Sequence, residues 1–199
     1  MRRLLLSLLL FVACSAHAAT ILVLGDSLSA GYGLESGQVW VDLLAKRLQH
    51  HQPRYTVVNA SISGETSAGG LARVDADLER AHPAIVLLEL GANDGLRGLS
   101  LDAMRRNLDE IVTRAQKRGA KVVLIGMRLP PNYGEHYTEA FHHIYIELAA
   151  KRHLPLVPFL LADVALDPRL MQPDQLHPTA VAQPKLLATV WRVLAPLLH

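Results

Sequence analysis

In this 199-residue chain the residues able to do chemistry together are one serine, one histidine–aspartate pair, one asparagine and, through its backbone N–H, one glycine. Ser27 stands in Gly25-Asp26-Ser27-Leu28-Ser29, and Asp174 and His177 stand in Asp174-Gln175-Leu176-His177-Pro178. Gly64 lies in Asn59-Ala60-Ser61-Ile62-Ser63-Gly64-Glu65-Thr66, and Asn93 in Gly91-Ala92-Asn93-Asp94-Gly95. A serine hydroxyl is a poor nucleophile until a base takes its proton, and an imidazole titrates in the right range to do so. A carboxylate three residues before the histidine can turn back to accept from its Nδ1–H, fixing the tautomer and stabilising the imidazolium. A developing oxyanion needs donors already aimed at it, and the backbone N–H groups of Ser27 and Gly64 and the amide of Asn93 could supply three. Each part also has a plain structural reading. Ser27 could cap a helix, Gly64 and Asn93 could form turns, and Asp174 with His177 could be a surface turn. The conjunction favours chemistry, because four separate loops each supply a complementary part.

Those loops follow segments that read as strands. Five short apolar, β-branched runs cover residues 20–24, 55–59, 85–89, 121–125 and 154–157. They recur at the spacing of a strand–helix–strand unit. Helical stripes fill the gaps: Trp40, Leu43, Leu44 and Leu48; Leu101, Met104, Leu108, Ile111 and Ala115; Phe141, Ile144 and Leu148; Leu187, Val190, Trp191 and Leu194. Gly119 stands where a helix C-cap belongs. Near-continuous apolar strands alternating with helices predict an α/β three-layer sandwich with a five-stranded parallel sheet in the flavodoxin-like order 2-1-3-4-5. In such a sheet, ligands bind outside the carboxyl ends of the strands. All the loops above lie there, including the long connection over residues 158–178, a length that in a compact domain signals function.

The same edge offers a candidate acyl site. Gly95-Leu96-Arg97-Gly98-Leu99, with Leu129 and Pro130, could form an apolar trough, and Arg97 could meet a phosphate or carboxylate. The plain alternative is that these leucines pack a loop and Arg97 is solvated. Gly91, Gly95 and Gly98 would let that loop move over a substrate. His136, His142 and His143 invite a metal reading, but no further ligands stand at zinc-site spacing, so solvated or capping histidines and no metal are expected.

Composition bounds the rest. Half of the residues are hydrophobic and 19% are charged, which excludes a disordered chain. Of 20 Lys+Arg residues, Arg2 and Arg3 precede the body of the chain, leaving 18 against 18 Asp+Glu. A neutral body has no electrostatic footprint for nucleic acid. Arg2 and Arg3 lead into an apolar run over 4–12 and the cleavage-like Ala16-His17-Ala18, so residues 1–18 read as an export signal removed after Ala18. Residues 19–199 then form a single domain without cysteine, expected in the periplasm as a monomer, without stable membrane insertion. Val12-Ala13-Cys14 gives the alternative of a lipid tether at Cys14.

Gly25-Asp26-Ser27-Leu28, Gly64, Gly91-x-Asn93-Asp94 and Asp174-x-x-His177 together resemble the four blocks of the SGNH, or GDSL, hydrolase superfamily, in order and over essentially the whole mature chain. Asn59 to Ser67 and Arg128-Leu129-Pro130-Pro131-Asn132-Tyr133-Gly134 are most similar to the bacterial periplasmic thioesterase I/lysophospholipase L1/protease I group. The resemblance implies Ser27 as nucleophile, Asp174 and His177 as its partners, and Ser27, Gly64 and Asn93 as oxyanion donors. It also implies no cofactor, and thioester, fatty-acyl or aryl ester and lysophospholipid substrates. Gln175 departs from the pattern, since the family usually has Gly there, and its Cβ restricts the turn that joins Asp174 to His177. Three other readings are weaker. A flavodoxin-like binding module lacks a phosphate-cradling first turn, and an α/β-hydrolase would read Gly-x-Ser-x-Gly where residue 29 is serine. A carbohydrate O-acetyl esterase would share the triad but need a small polar acyl pocket.

Overall fold

The structure, a computed structural model, describes residues 18–51 and 54–198. The expected export signal, except Ala18, and the alternative tether at Cys14 lie outside the described residues. Five strands form one parallel sheet: β1 (Ala19–Gly25), β2 (Tyr55–Asn59), β3 (Ile85–Glu89), β4 (Lys121–Ile125) and β5 (Leu156–Val157). Their order is β2-β1-β3-β4-β5, as the sequence predicts. All of β3 is buried, as are Ile21 to Leu24 of β1, because a parallel strand covered on both faces has no solvated side. The register pairs Val23 with Asn59 and with Leu87, and Gly25 with Glu89. The carboxyl ends of β1 and β3 therefore finish level, β2 stops two residues short of them, and the Ile62 N–H beyond β2 donates to the Gly25 carbonyl at 3.0 Å, so the following loops meet.

The helices cover the sheet in two groups. The helical turn α1 (Ser27–Ala30) follows β1 directly. α2 (Trp40–Leu48) packs on α7 (Gln183–Leu194), and the Trp40 N–H donates to Gln183 Oε1 at 2.9 Å. The second group is α3 (Ser67–Ala81), α5 (Leu101–Lys117) and α6 (Glu135–Arg152), with the short α4 (Ala92–Leu96) leading into α5. Ion pairs stitch this group together: Arg114 of α5 to Asp75 of α3, and Lys151 and Arg152 of α6 to Asp109 of α5.

Three features depart from the sequence reading. α3 shows no clear stripe in the sequence, since Gly69 and Gly70 dilute its first turn. A Cβ on Gly70 would stand 2.3 Å from Leu90 Cδ1, so a side chain there would have to push aside the buried Leu90 just beyond β3. β5 pairs over two residues instead of four. Trp191 packs against the core but is only partly buried, and the Arg47 guanidinium covers its ring at 3.9 Å.

Candidate active site

The first loop turns sharply out of β1. A Cβ on Gly25 would stand 2.7 Å from Glu89 Oε2 and 2.9 Å from Ser29 Oγ, so the turn needs a residue without one. Asp26 is the cap of α1, its Oδ1 accepting from the Leu28 N–H at 3.0 Å. That leaves the Ser27 hydroxyl free of the capping role, and its Oγ lies 2.9 Å from His177 Nε2. Behind the turn, the fully buried Glu89 accepts from the Asp26 N–H at 3.2 Å and from the Ser29 hydroxyl at 2.7 Å. Burial pushes Glu89 well up, and the neighbouring Asp26 charge pushes it further. Burial likewise raises Asp26, to about 6, against the lowering effect of the Leu28 N–H and the Asn93 amide.

His177 comes from the far side of the sheet edge. Its Nδ1 lies 2.6 Å from Asp174 Oδ2, while Asp174 Oδ1 accepts from the backbone N–H groups of Leu176 and His177, each at 3.0 Å. Partial burial pushes the Asp174 carboxyl up, but these hydrogen bonds from His177 and Leu176 outweigh it and hold the group below its ordinary value. An ionised Asp174 makes the His177 Nδ1 a donor and leaves Nε2 as an acceptor for the Ser27 hydroxyl. Gln175 meets the turn's demand by adopting φ +57°, and its side chain Nε2 donates to the Gln172 carbonyl at 3.2 Å. Gln172 in turn ties this loop to the first one, donating to the carbonyls of Tyr32 at 2.9 Å and Pro178 at 3.1 Å. The Tyr32 ring lies 4.6 Å from the imidazole.

Asn93 and Gly64 line the same cleft as Ser27 and His177. Asn93 Nδ2 donates one hydrogen to Asp26 Oδ2 at 3.1 Å, and a carboxamide nitrogen carries a second. Gly64 has φ +80°, a conformation that a side chain would strain. A buried link holds the two loops in register. Asp94 accepts from the Ser67 N–H at 2.8 Å and from its hydroxyl at 2.6 Å, and the Asn107 amide donates to the same hydroxyl at 3.0 Å.

The cleft measures about 740 Å³, and most of its wall is apolar. Leu96, Leu129 and Pro130 line it, as the sequence suggests. Residues of the long connection complete it: Phe159, Leu166 and Met171 form a wall that the sequence shows only as a long loop without regular pattern. Arg97 is not among the lining residues. Its guanidinium donates to the Gly64 carbonyl at 2.9 Å, and the cation in the lining is Arg128. His142 is buried rather than solvated, with Nδ1 at 3.1 Å from the Met127 carbonyl, and burial pushes its pKa down. His143 is exposed and faces Glu147 at 3.4 Å. Among the described residues no group of three or more His, Cys, Asp or Glu side chains could hold a metal ion.

A serine hydroxyl on an imidazole, a carboxylate behind it and candidate donors converging beside an apolar cleft are the parts of an acyl-transfer site. Comparison with known proteins agrees. Over its whole length the chain is 51% identical to the whole of the esterase TesA of Pseudomonas aeruginosa. It is 44% identical to the thioesterase 1/protease 1/lysophospholipase L1 of Escherichia coli (strain K12), covering 98% of this chain and 92% of that one. The solved structure of a TesA superposes with a TM-score of 0.87 at 52% identity, covering 90% of this chain and 99% of the other. The family model of GDSL-like lipases and acylhydrolases matches residues 23–183. The chain is a hydrolase of the GDSL-like lipase/acylhydrolase family.

Proposed function

We propose that the protein cleaves carboxylic esters and thioesters of medium and long acyl chains through an acyl-enzyme on Ser27, with His177 as general base and acid and Asp174 as its orienting carboxylate. Ser27 Oγ attacks the carbonyl carbon as its proton passes to His177 Nε2. The carbonyl oxygen becomes an oxyanion facing the N–H groups of Ser27 and Gly64 and the Asn93 amide. Collapse of this intermediate breaks the bond to the alcohol or thiol, which leaves with the proton from His177. Water then repeats the sequence on the acyl-enzyme, releasing the acid and restoring the serine. The observation that carries this reading is the continuous chain from Asp174 Oδ2 through both imidazole nitrogens to Ser27 Oγ, with distances of 2.6 and 2.9 Å.

The substrate assignment rests on the cleft. Leu96, Leu129 and Pro130, with Phe159 and Leu166, offer an acyl chain a continuous apolar wall beside Ser27, and the volume suits a long chain better than an acetyl group. Amphiphiles such as lysophospholipids and fatty-acyl thioesters fit that shape. All the proposed groups come from one chain, so a monomer suffices. The two arginines, apolar run and Ala-x-Ala of the N-terminus support export to the periplasm with cleavage after Ala18, and no helix among the described residues is long and apolar enough to cross a membrane.

Hydrolysis of p-nitrophenyl esters from acetyl to palmitoyl by the wild type tests the substrate assignment. Rates that rise with chain length support the acyl cleft. A strong preference for acetyl would instead move the function to deacetylation of carbohydrates with the same machinery.

A further inference from the structure

Two of the three donors proposed for the oxyanion, Gly64 and Asn93, come from different loops, and one of them is a side-chain amide. A carboxamide turned by half a circle would present its oxygen, an acceptor, where a donor is required. Something must therefore fix which way Asn93 faces and how far Gly64 stands from it. One end of the amide is settled by the Asp26 carboxylate, which accepts from Nδ2 at 3.1 Å. At the other end is Arg97. A single guanidinium nitrogen, Nη2, donates to the Gly64 carbonyl at 2.9 Å and lies 3.5 Å from Asn93 Oδ1. A carboxylate at the nitrogen and a cation at the oxygen admit one orientation of the amide, and the same cation joins the Asn93 loop to the Gly64 loop.

We propose that Arg97 is a positioning residue for the reaction: its guanidinium bridges Gly64 and Asn93 and holds these two oxyanion donors in register from the solvent side, as Asp94 does from the buried side. The inference rests on the oxyanion roles proposed above. It replaces a simpler expectation for an exposed arginine beside a lipid cleft, that it binds the anionic head of the substrate. The contacts favour the bridge, since Nη2 is turned onto two groups of the protein and the side chain does not line the cleft.

The two roles separate kinetically. Arg97→Met and Arg97→Lys are compared with wild type on neutral p-nitrophenyl butyrate and on anionic decanoyl-CoA. Because Arg97 is exposed, both variants are expected to fold as wild type does, which thermal unfolding checks. A positioning role predicts that Arg97→Met lowers kcat on the order of tenfold on both substrates, with KM little changed, since only transition-state contacts are weakened. Arg97→Lys keeps the charge and recovers part of the loss. In an Asn93→Ala background, Arg97→Met then costs less than in wild type, because one of the two donors it holds is already gone. An unchanged kcat on the neutral ester with a raised KM for the CoA ester would overturn the proposal in favour of a headgroup contact. Full additivity with Asn93→Ala would overturn it too. Asn93→Ala alone retaining wild-type activity would remove the oxyanion reading itself and this proposal with it, whereas a crippled Asn93→Ala beside a fully active Arg97→Met removes only the proposal.

Discussion

What sets Ser27 apart from neighbouring serines is the partner of its hydroxyl. Ser29 gives its proton to Glu89 and Ser67 to Asp94, both buried carboxyl groups, while Ser27 faces an imidazole nitrogen. With Asp26 as the cap of α1, Ser27→Ala removes no structural bond. It is expected to leave thermal stability unchanged within about 0.5 kcal/mol, while kcat falls by more than about a thousandfold. Asn93→Ala is expected to cost on the order of 10²–10³ in kcat in steady-state assays. Gln175 offers a test of the turn. Its left-handed φ of +57° is open to glycine, so Gln175→Gly keeps activity close to wild type. A β-branched residue tolerates that conformation poorly, so Gln175→Val loses about 1–2 kcal/mol in denaturant unfolding, together with much of its kcat. At this scale the sequence was most legible: Ser27, Gly64, Asn93, Asp174 and His177 each stand at a strand-end loop. The role of Arg97 was not legible, because a long exposed side chain can reach several partners and nothing in its spacing chooses among them.

The elements do two things for these residues: adjacent strand ends bring the loops together, and buried polar links fix their register. The sequence shows the first, since β2, β3 and β4 begin and end where the apolar runs do. α3 was hidden because Gly70 serves helix–sheet contact rather than helix propensity, and β5 is short because only Leu156 and Val157 pair with β4. The links were hidden too, being made by polar residues far apart in sequence. Asp94→Ala would leave the Ser67 N–H and hydroxyl short of a buried acceptor. The expected loss is about 1–3 kcal/mol of stability, with a drop in kcat as the Gly64 and Asn93 loops lose register. Asp26 and Glu89 predict a pH effect of definite sign. Their folded-state pKa values are raised, so the folded chain holds their protons more tightly than the unfolded one. Their contribution to stability is present in acid, below their unfolded values, and is lost as pH rises through about 6 for Asp26. Glu89→Gln keeps an acceptor for Asp26 and Ser29 and removes one of the two acids. Its melting temperature relative to wild type is therefore expected to rise between pH 4.5 and pH 8. A constant difference across that range would contradict the buried-acid account.

For the molecule as a whole, a doubly covered parallel sheet leaves its carboxyl edge as the place where loops can build a cleft. The regular spacing of strands and helices made that architecture legible. The far wall, from Phe159 through Leu166 to Met171, was not, since it carries no period and its apolar side chains border a cleft as well as the core. Leu166 makes the wall testable without risk to folding, being 94% exposed while lining the cleft. A carboxylate there, in Leu166→Glu, is expected to lower kcat/KM for palmitoyl esters about tenfold and leave acetyl ester hydrolysis unchanged. Equal effects at both chain lengths would place the acyl chain elsewhere.

The whole scheme turns on a covalent acyl intermediate on one serine, which rapid-quench mass spectrometry of the intact protein can detect. Mixed with excess p-nitrophenyl decanoate and quenched in acid, the wild type should gain the mass of one decanoyl group, mapping by peptide digestion to Ser27, and Ser27→Ala should gain none. An acyl group on another residue, or its persistence in Ser27→Ala, would contradict the account.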